Sequence, residues 1–376
     1  MKKKYIFIAI IVLLVCILIP LYIFKVQTNN NSDSLESRLS KLVKKCLNRS
    51  NSLYVSCFRD SFDKLVPSYG VNEIITSLDL VYETPEFAHT TPSCHDISHI
   101  VGQVAIEKGR DLGETVINCT KTCQYGCAHG ALIGGILKDP ELLNNLSSVC
   151  EPFYSESYNP QDVDSCLHGL GHGVSEFASL DLFKSLELCG RVATDYGKNK
   201  CAEGVFMQTI DYVEVPTYKI RGSIDDFCNS LSQDFRDICF ETASLHEYGR
   251  SKDVLFSAET CKIIPGKHYG KCLINLVNLL YSNYDADPQK LLSFCKEYGD
   301  LDYDSCVMGV IQPDILSDLS ATVSIFICNN SEEEYKNRCF QSLGQRYKYA
   351  YGNMERVKFC SVFEDIHQKE RCLKDN

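Results

Sequence analysis

From Ser37 onward, apolar residues recur at spacings of three and four, and no run alternates between apolar and polar positions. This spacing is typical of helices with one buried face. The segment 285–312 shows how a helix pair is encoded. Asp287-Pro288 supplies a capping carboxylate and a first-turn proline, and Leu291 and Cys295 follow on one face. A glycine interrupts the pattern before a second helix is predicted. The pattern therefore predicts an all-α fold built from helical hairpins.

The cysteines repeat in step with these hairpins. In four successive pairs ten residues separate the two cysteines, and the first cysteines lie 33 or 34 residues apart: Cys228/Cys239, Cys261/Cys272, Cys295/Cys306 and Cys328/Cys339. A fixed period of this length is typical of stacked helical hairpins. The same register, with small changes in length, extends to Cys46/Cys57, Cys150/Cys166, Cys189/Cys201 and Cys360/Cys372. Because zinc sites prefer gaps of two to four residues, we predict disulfides that staple an α/α solenoid with a period of about 33–39 residues.

Four cysteines remain outside this register, namely Cys94, Cys119, Cys123 and Cys127. The simplest pairing joins Cys119 to Cys127, on the hairpin register, and Cys94 to Cys123. A free thiol ligand at Cys94 or Cys123 is the alternative. About ten disulfides in total indicate an oxidising compartment.

The N-terminal segment is apolar. Residues 5–24 contain no charge and follow Lys2, Lys3 and Lys4, and about twenty apolar residues span a bilayer as a helix. We therefore predict a single-pass transmembrane anchor with the remainder outside the cytoplasm; a cleaved signal peptide is the rival interpretation. The predicted organisation is a cytoplasmic stub (1–4), the anchor (5–24), a tether (25–35) and a helical-repeat ectodomain (36–376), with a histidine-rich region (94–203) and regular repeats (204–376).

Charge excludes one class of partner. The chain has 38 Lys+Arg and 49 Asp+Glu, a formal charge of −11. No basic stripe interrupts this acidity, so nucleic acid is not an expected partner.

One repeat resembles a known family. Leu343-Gly344, Tyr347 and Gly352 in CFQSLGQRYKYAYG are similar to the L-G-x-x-Y signature and trailing glycine of cysteine-rich Sel1-like repeats, relatives of the tetratricopeptide repeat. The other repeats lack that family's regular Ala/Gly positions, and the resemblance covers about half of the chain at the level of architecture. It implies a surface that binds proteins or peptides, and it carries over no catalytic residue.

The second cysteine of several hairpins is followed by a recurring pattern: Cys127-Ala-His129-Gly, Cys166-Leu-His168-Gly, Cys201-Ala-Glu203-Gly and, later, Cys306-Val-Met308-Gly. The glycine is expected where two helices pack too closely for a side chain. Equivalent positions of a solenoid lie on one face, and neighbouring helices lie about 8–10 Å apart. We therefore expect His129, His168 and Glu203 to converge.

Two further spacings add metal-ligand types to this face. His95 and His99 are four residues apart, as are His168 and His172, so each pair lies on one face of a helix; Glu176 lies one turn further. We predict that His95, His99, His129, His168 and His172 ligate a metal ion or haem, with Glu176 or Glu203 as a carboxylate ligand or general base. The alternative is that these histidines cap helices or pack at crowded corners.

The donor set suits iron, copper or zinc equally well. HGLGH lacks the glutamate of the HExxH zinc-protease motif, and no Cys-x-x-Cys-His motif attaches haem covalently. The leading hypothesis is thus a membrane-anchored, extracytoplasmic metal-binding repeat protein. The rival is a non-enzymatic scaffold that binds a protein or peptide on its concave face. A metal-dependent oxidoreductase or hydrolase is the third hypothesis.

Overall fold

The structure is a computed structural model that describes residues 34–49, 53–87, 90, 92–119, 121–155, 157–211, 223–298 and 302–375, the side chains of 209–211 excepted. Throughout this part of the chain the regular structure is helical. The helices are amphipathic and begin at side-chain caps such as Ser34, Asp111 and Asp302, which accept hydrogen bonds from otherwise unpaired backbone N–H groups. The expectation of an all-α fold is confirmed.

The N-terminal half contains ten α-helices and three 3₁₀-helices in the described part. The α-helices are α1 (Leu35–Leu47), α2 (Tyr54–Leu65), α3 (Val71–Tyr82), α4 (Cys94–Glu107), α5 (Leu112–Asn118), α6 (Gly126–Lys138), α7 (Leu146–Cys150), α8 (Pro160–Phe177), α9 (Leu182–Cys189) and α10 (Asp195–Asp211). The 3₁₀-helices are η1 (Thr122–Tyr125), η2 (Pro140–Asn144) and η3 (Glu151–Tyr154).

The C-terminal half continues the same alternation of helices. Its elements are α11 (Ile224–Ser230), α12 (Gln233–Glu241), α13 (Ala243–Ser251), α14 (Val254–Ile263), η4 (Gly266–His268), α15 (Tyr269–Asn283), α16 (Pro288–Tyr298), α17 (Tyr303–Ser317), α18 (Thr322–Asn330), α19 (Glu333–Tyr351), α20 (Asn353–Ser361) and α21 (Ile366–Leu373).

These elements form antiparallel hairpins stacked in two layers. The second helix of each hairpin packs on the second helix of the next, so that α4, α6, α8 and α10 form one continuous row, and α15, α17, α19 and α21 form another. The first helices pack along the outside of these rows. Each helix buries an apolar face between its neighbours, and the buried residues form one core that runs the length of the solenoid.

Disulfides staple the hairpins as the cysteine register predicts. Nine of the ten disulfides in the described part join the two arms of a hairpin, at or next to its corner. The tenth joins Cys94, the first residue of α4, to Cys123 in η1. The eight register pairs are confirmed, and the structure pairs the four remaining cysteines in the simplest of the predicted ways. Closing a loop of this length contributes roughly 2–3 kcal/mol by the chain-entropy model.

The prediction of a transmembrane anchor has to be corrected. The correction also applies to the predicted single-pass membrane localisation and to the transmembrane helix in the predicted fold class. Among the helices of the described residues, none is long and apolar enough to cross a bilayer. Residues 5–24 themselves lie outside the described part. The structure therefore gives a membrane-spanning helix no support. The disulfides still indicate an oxidising environment outside the cytoplasm.

The solenoid curves until its later hairpins contact its earlier ones. Side chains of α17 and α19 hydrogen-bond to η1 and α8 across sequence separations of more than 180 residues. The bonds run from Gln124 Nε2 to Ser317 Oγ (2.7 Å), from Arg346 Nη2 to Gln161 Oε1 (2.5 Å) and from Tyr349 Oη to Asp164 Oδ2 (2.6 Å). The bond from Gln124 therefore ties η1, which directly precedes α6, to the later hairpins.

Candidate metal centre

Glycines allow the helices of the N-terminal row to approach closely. A Cβ atom at Gly130 of α6 would lie far inside van der Waals contact of the His99 carbonyl oxygen in α4. In the same way, a Cβ atom at Gly204 of α10 would collide with the His168 carbonyl oxygen in α8. The prediction that glycine follows the variable register position because of close packing is confirmed. Neighbouring backbones in this row are near enough for short side chains to meet between them.

The histidines predicted to converge do so at this point. Ring centroids lie 4.7 Å apart for His95 and His99 on α4, and 4.9 Å apart for His168 and His172 on α8. His129 projects from α6, between these two helices. Its ring centroid lies 5.4, 5.5, 5.3 and 5.1 Å from those of His95, His99, His168 and His172, respectively. We call these five residues the histidine cluster.

Hydrogen bonds set the tautomer of His172. Gln208 on α10 donates from Nε2 to a carboxylate oxygen of Glu176 (2.6 Å), so its Oε1 atom faces His172 Nδ1 at 2.5 Å. A carboxylate only accepts hydrogen bonds, which fixes the orientation of the Gln208 amide. His172 must then carry its proton on Nδ1, and its Nε2 lone pair is left for a metal ion, as an outer hydrogen bond does in many metal sites.

His95 is arranged in the same way. Its Nδ1 atom lies 3.2 Å from the Cys123 carbonyl oxygen and 3.1 Å from that of Gln124. Both partners are acceptors, so Nδ1 carries the proton and the Nε2 atom presents a lone pair. That Nε2 atom lies 3.1 Å from His99 Nε2. One candidate ligand atom from each of His95, His99 and His129 lies within 4.8 Å of the others, a separation that one ion can bridge.

His129 is the most unusual member. It is 5% exposed, and neither of its ring nitrogens has a hydrogen-bond partner among the described residues. The Nε2 atom of His172, 4% exposed, likewise lacks one. A buried polar atom without a partner costs about 1–3 kcal/mol. The histidine cluster therefore brings together buried ring nitrogens that have no hydrogen-bond partner among the described residues.

Burial favours the neutral form of four of these histidines, namely His99, His129, His168 and His172. It lowers the pKa of His99, His129 and His168 well below the ordinary value, and the neighbouring histidines, each repelling a second positive charge, lower it further. For His172, burial lowers the pKa to about 4, although the hydrogen bond with Gln208 opposes the shift. Neutral imidazole is the form that binds metal ions.

These shifts predict that the chelator-treated protein loses stability in acid. A histidine with a lower pKa in the folded state binds fewer protons there than in the unfolded chain, so the free energy of unfolding decreases as pH falls below about 6.5. Each such group contributes about 1.4 kcal/mol per pH unit until its folded pKa is reached. Urea denaturation at a series of pH values should show this slope. In His172→Gln, which lacks one titrating group, the slope should be shallower; an identical slope would contradict the argument.

The two predicted carboxylates lie in different places. Glu176 is linked to the histidine cluster through Gln208, as an outer partner of His172. Glu203 instead pairs with Lys200, Nζ to Oε2 being 2.8 Å; burial raises its pKa and Lys200 opposes the shift. The expected convergence thus holds for His129 and His168, whereas Glu203 is held in a separate charged group.

The other described histidines lie in packed or exposed positions outside the histidine cluster. His246 is buried against Phe206, with ring centroids 5.4 Å apart. His268 stacks on Phe240 and lies 3.2 Å from an Asp237 carboxylate oxygen. His367 is exposed, and His89 lies outside the described residues.

The sequence did not predict that Gln208 would contact the histidine cluster. No sequence motif links the Gln208 amide to His172, 36 residues earlier in the chain. Only the packing of α10 against α8 brings the two side chains together. The repeat register does not single it out, because Gln208 is five residues after Glu203 on the same helix and same-face residues are three or four apart.

The chain matches no protein-family model, no curated protein and no solved structure. The all-helical, disulfide-stapled repeat architecture is shown by the structure itself, and the specific resemblance to Sel1-like repeats stays a prediction. Function has to be argued from the site alone.

Proposed function

We propose that this protein binds a transition-metal ion through the histidine cluster. The observation that carries the proposal is His129, whose two buried nitrogens have no hydrogen-bond partner in the described part of the chain although four other imidazoles surround its ring. A histidine that serves packing alone normally has at least one of its nitrogens hydrogen-bonded. A metal ion would take up the lone pairs that the protein leaves unpaired.

The chemistry of the donor set supports a transition-metal ion as the ligand, rather than an anion or another kind of cation. Five imidazoles offer nitrogen donors of intermediate softness, which suit zinc, copper and iron. His95, His99 and His129 have the compact spacing that a single ion needs. Two of the five rings, His95 and His172, have their Nδ1 atom held by acceptors, which orients the Nε2 atom of each. The Nε2 atom of His95 faces His99 Nε2, and that of His172 has no hydrogen-bond partner among the described residues. Of the three metals, copper(II) is expected to bind most tightly.

Elemental analysis of the full-length protein tests the proposal. The oxidised protein is stripped with a chelator, dialysed in turn against zinc, copper and iron salts, and passed over a desalting column. We expect at least one ion per chain to be retained from one of these salts. An absorption spectrum of the protein as purified checks for haem. Ratios near zero with all three metals, together with no haem absorption, would contradict the proposal.

Binding of a peptide is a second candidate function, supported by one cavity. An open cavity of about 520 Å³ lies between the early and late hairpins. Its lining is rich in aromatic rings and includes Phe153, Tyr154, Tyr158, Tyr196 and Tyr349, with the Asp164 carboxylate at one side. Aromatic rings provide contact area at little entropic cost.

A peptide library panned on the wild-type protein and on Tyr154→Ser/Tyr196→Ser tests this second function. Peptides that only the wild type retains would support it, and equal retention by both proteins would count against it.

A further inference from the structure

The disulfide between Cys94 and Cys123 differs from the other nine. It is the one that does not staple a hairpin, and Cys94 is the one half-cystine of the described twenty that is not buried. Thiol–disulfide exchange requires a nucleophile to reach a sulfur atom, so exposure governs which bond reacts. A dithiol reductant therefore has access to Cys94 while the hairpin staples are shielded.

Backbone strain also favours opening this bond. Cys123, Gln124 and Tyr125 are three consecutive residues other than glycine with φ values of 51°, 51° and 63°. The left-handed region costs roughly 1–2 kcal/mol for each such residue. The disulfide holds one end of this segment and η1 continues into α6 at the other. Breaking the bond removes one of the two disulfides that constrain the segment, which also lies inside the loop closed by the Cys119–Cys127 staple. In the described part of the chain, no run of this kind lies inside the loop of any other hairpin staple.

A carboxylate lies against both sulfur atoms. Asp79 on α3 places its Oδ1 atom 3.7 Å from Cys123 Sγ and 4.0 Å from Cys94 Sγ. The three donor atoms lie within 4.8 Å of one another, and the two Cα atoms of the cysteines are 5.2 Å apart. Two thiolates at this separation, each able to reach an ion at about 2.3 Å, would share it with the carboxylate.

We propose that reduction of the Cys94–Cys123 disulfide creates a second metal site, formed by Asp79, Cys94 and Cys123. A dithiol supplies two electrons and two protons, the S–S bond breaks to give two thiols, and the dithiol leaves as its own disulfide. Binding of the metal ion then displaces the two thiol protons to solvent. The thiolate donors make this site softer than the histidine cluster, so it suits zinc or copper(I).

The site does not depend on ligation by the histidine cluster, although the two adjoin. His95 follows Cys94 in the chain, and its Nδ1 atom contacts the carbonyl oxygen of Cys123. Reduction would therefore act on both: it adds a thiolate site and loosens the backbone that orients His95.

The test compares oxidised and mildly reduced full-length protein. After limited treatment with dithiothreitol and anaerobic desalting, thiol alkylation and peptide mapping should label Cys94 and Cys123 before any other cysteine of the ten disulfides. Cys16, which is not among these twenty cysteines, is left out of the comparison. Titration with cobalt(II), used as a spectroscopic probe for zinc, should then give one more bound equivalent than in the oxidised protein. That equivalent should show thiolate-to-cobalt charge-transfer absorption.

Matched variants separate this site from the histidine cluster. Cys94→Ser/Cys123→Ser should lose the extra equivalent, while Cys295→Ser/Cys306→Ser, which removes a hairpin staple, should keep it. Asp79→Asn retains the disulfide and should weaken the extra site about tenfold or more. His129→Ala should leave it in place. Equal stoichiometry before and after reduction, first labelling at the cysteines of another disulfide, or an extra equivalent that survives Cys94→Ser/Cys123→Ser would each overturn the proposal.

Discussion

Replacing His129 by alanine should abolish tight metal binding by the oxidised protein. His129 lies between the pairs on α4 and α8, with its ring 5.1–5.5 Å from the other four by centroid. Its removal breaks up the compact set with His95 and His99. We expect the dissociation constant to rise at least about a hundredfold, the upper end of what outer-sphere changes alone produce. Competition titration against a chromophoric chelator measures the change.

Two control variants isolate ligation from folding. His246→Ala removes another buried histidine, one that packs on Phe206 outside the histidine cluster. His367→Ala removes an exposed one. Both should bind metal as the wild type does. In the chelator-treated state His129→Ala should keep a cooperative thermal transition, because the imidazole that it loses has no hydrogen bonds among the described residues. Undiminished affinity in His129→Ala would rule out the cluster as the site.

Gly130→Ala should destabilise the protein by about 3 kcal/mol. The added Cβ atom would collide with the backbone carbonyl of His99, and a backbone atom cannot move aside as the end of a side chain can. Helices α4 and α6 must separate instead. Alanine's better helix propensity offsets less than about 1 kcal/mol of this loss. Denaturant unfolding measures stability, and metal titration should show weaker binding, since the separation moves His99 away from His129.

Gly113→Ala provides the matched control. Gly113 also lies in a helix, α5, but a Cβ atom there would meet only ordinary contact with a side-chain oxygen of Asp111 at 3.5 Å. Without a collision, helix propensity decides, so stability should rise slightly or stay unchanged. If Gly130→Ala behaved like Gly113→Ala, the close approach of α4 and α6 would not be needed for the site.

The features that the sequence predicts correctly are those that depend on local patterns. The cysteine register predicts the hairpin staples because the two sulfurs of each lie only a short loop apart, so the pairing depends on neighbouring helices alone. The histidine cluster was predicted for a related reason: His129 and His168 occupy equivalent positions of adjacent repeats, and four-residue spacing adds His99 and His172. Glu203 occupies the next equivalent position, yet Lys200, one turn before it on the same helix, forms an ion pair with it.

The sequence by itself determined the helical hairpins, the disulfide at each corner and the row of histidines. Helix periodicity and repeat length are local properties of the chain, and they recur in each repeat. Only the tertiary structure decided which nitrogen of His95 and of His172 carries the proton, that Gln208 orients His172, and that Asp79 lies beside the partly exposed Cys94–Cys123 disulfide. Those facts depend on how helices distant in sequence approach one another, at distances set by glycine contacts and by the curvature of the whole solenoid.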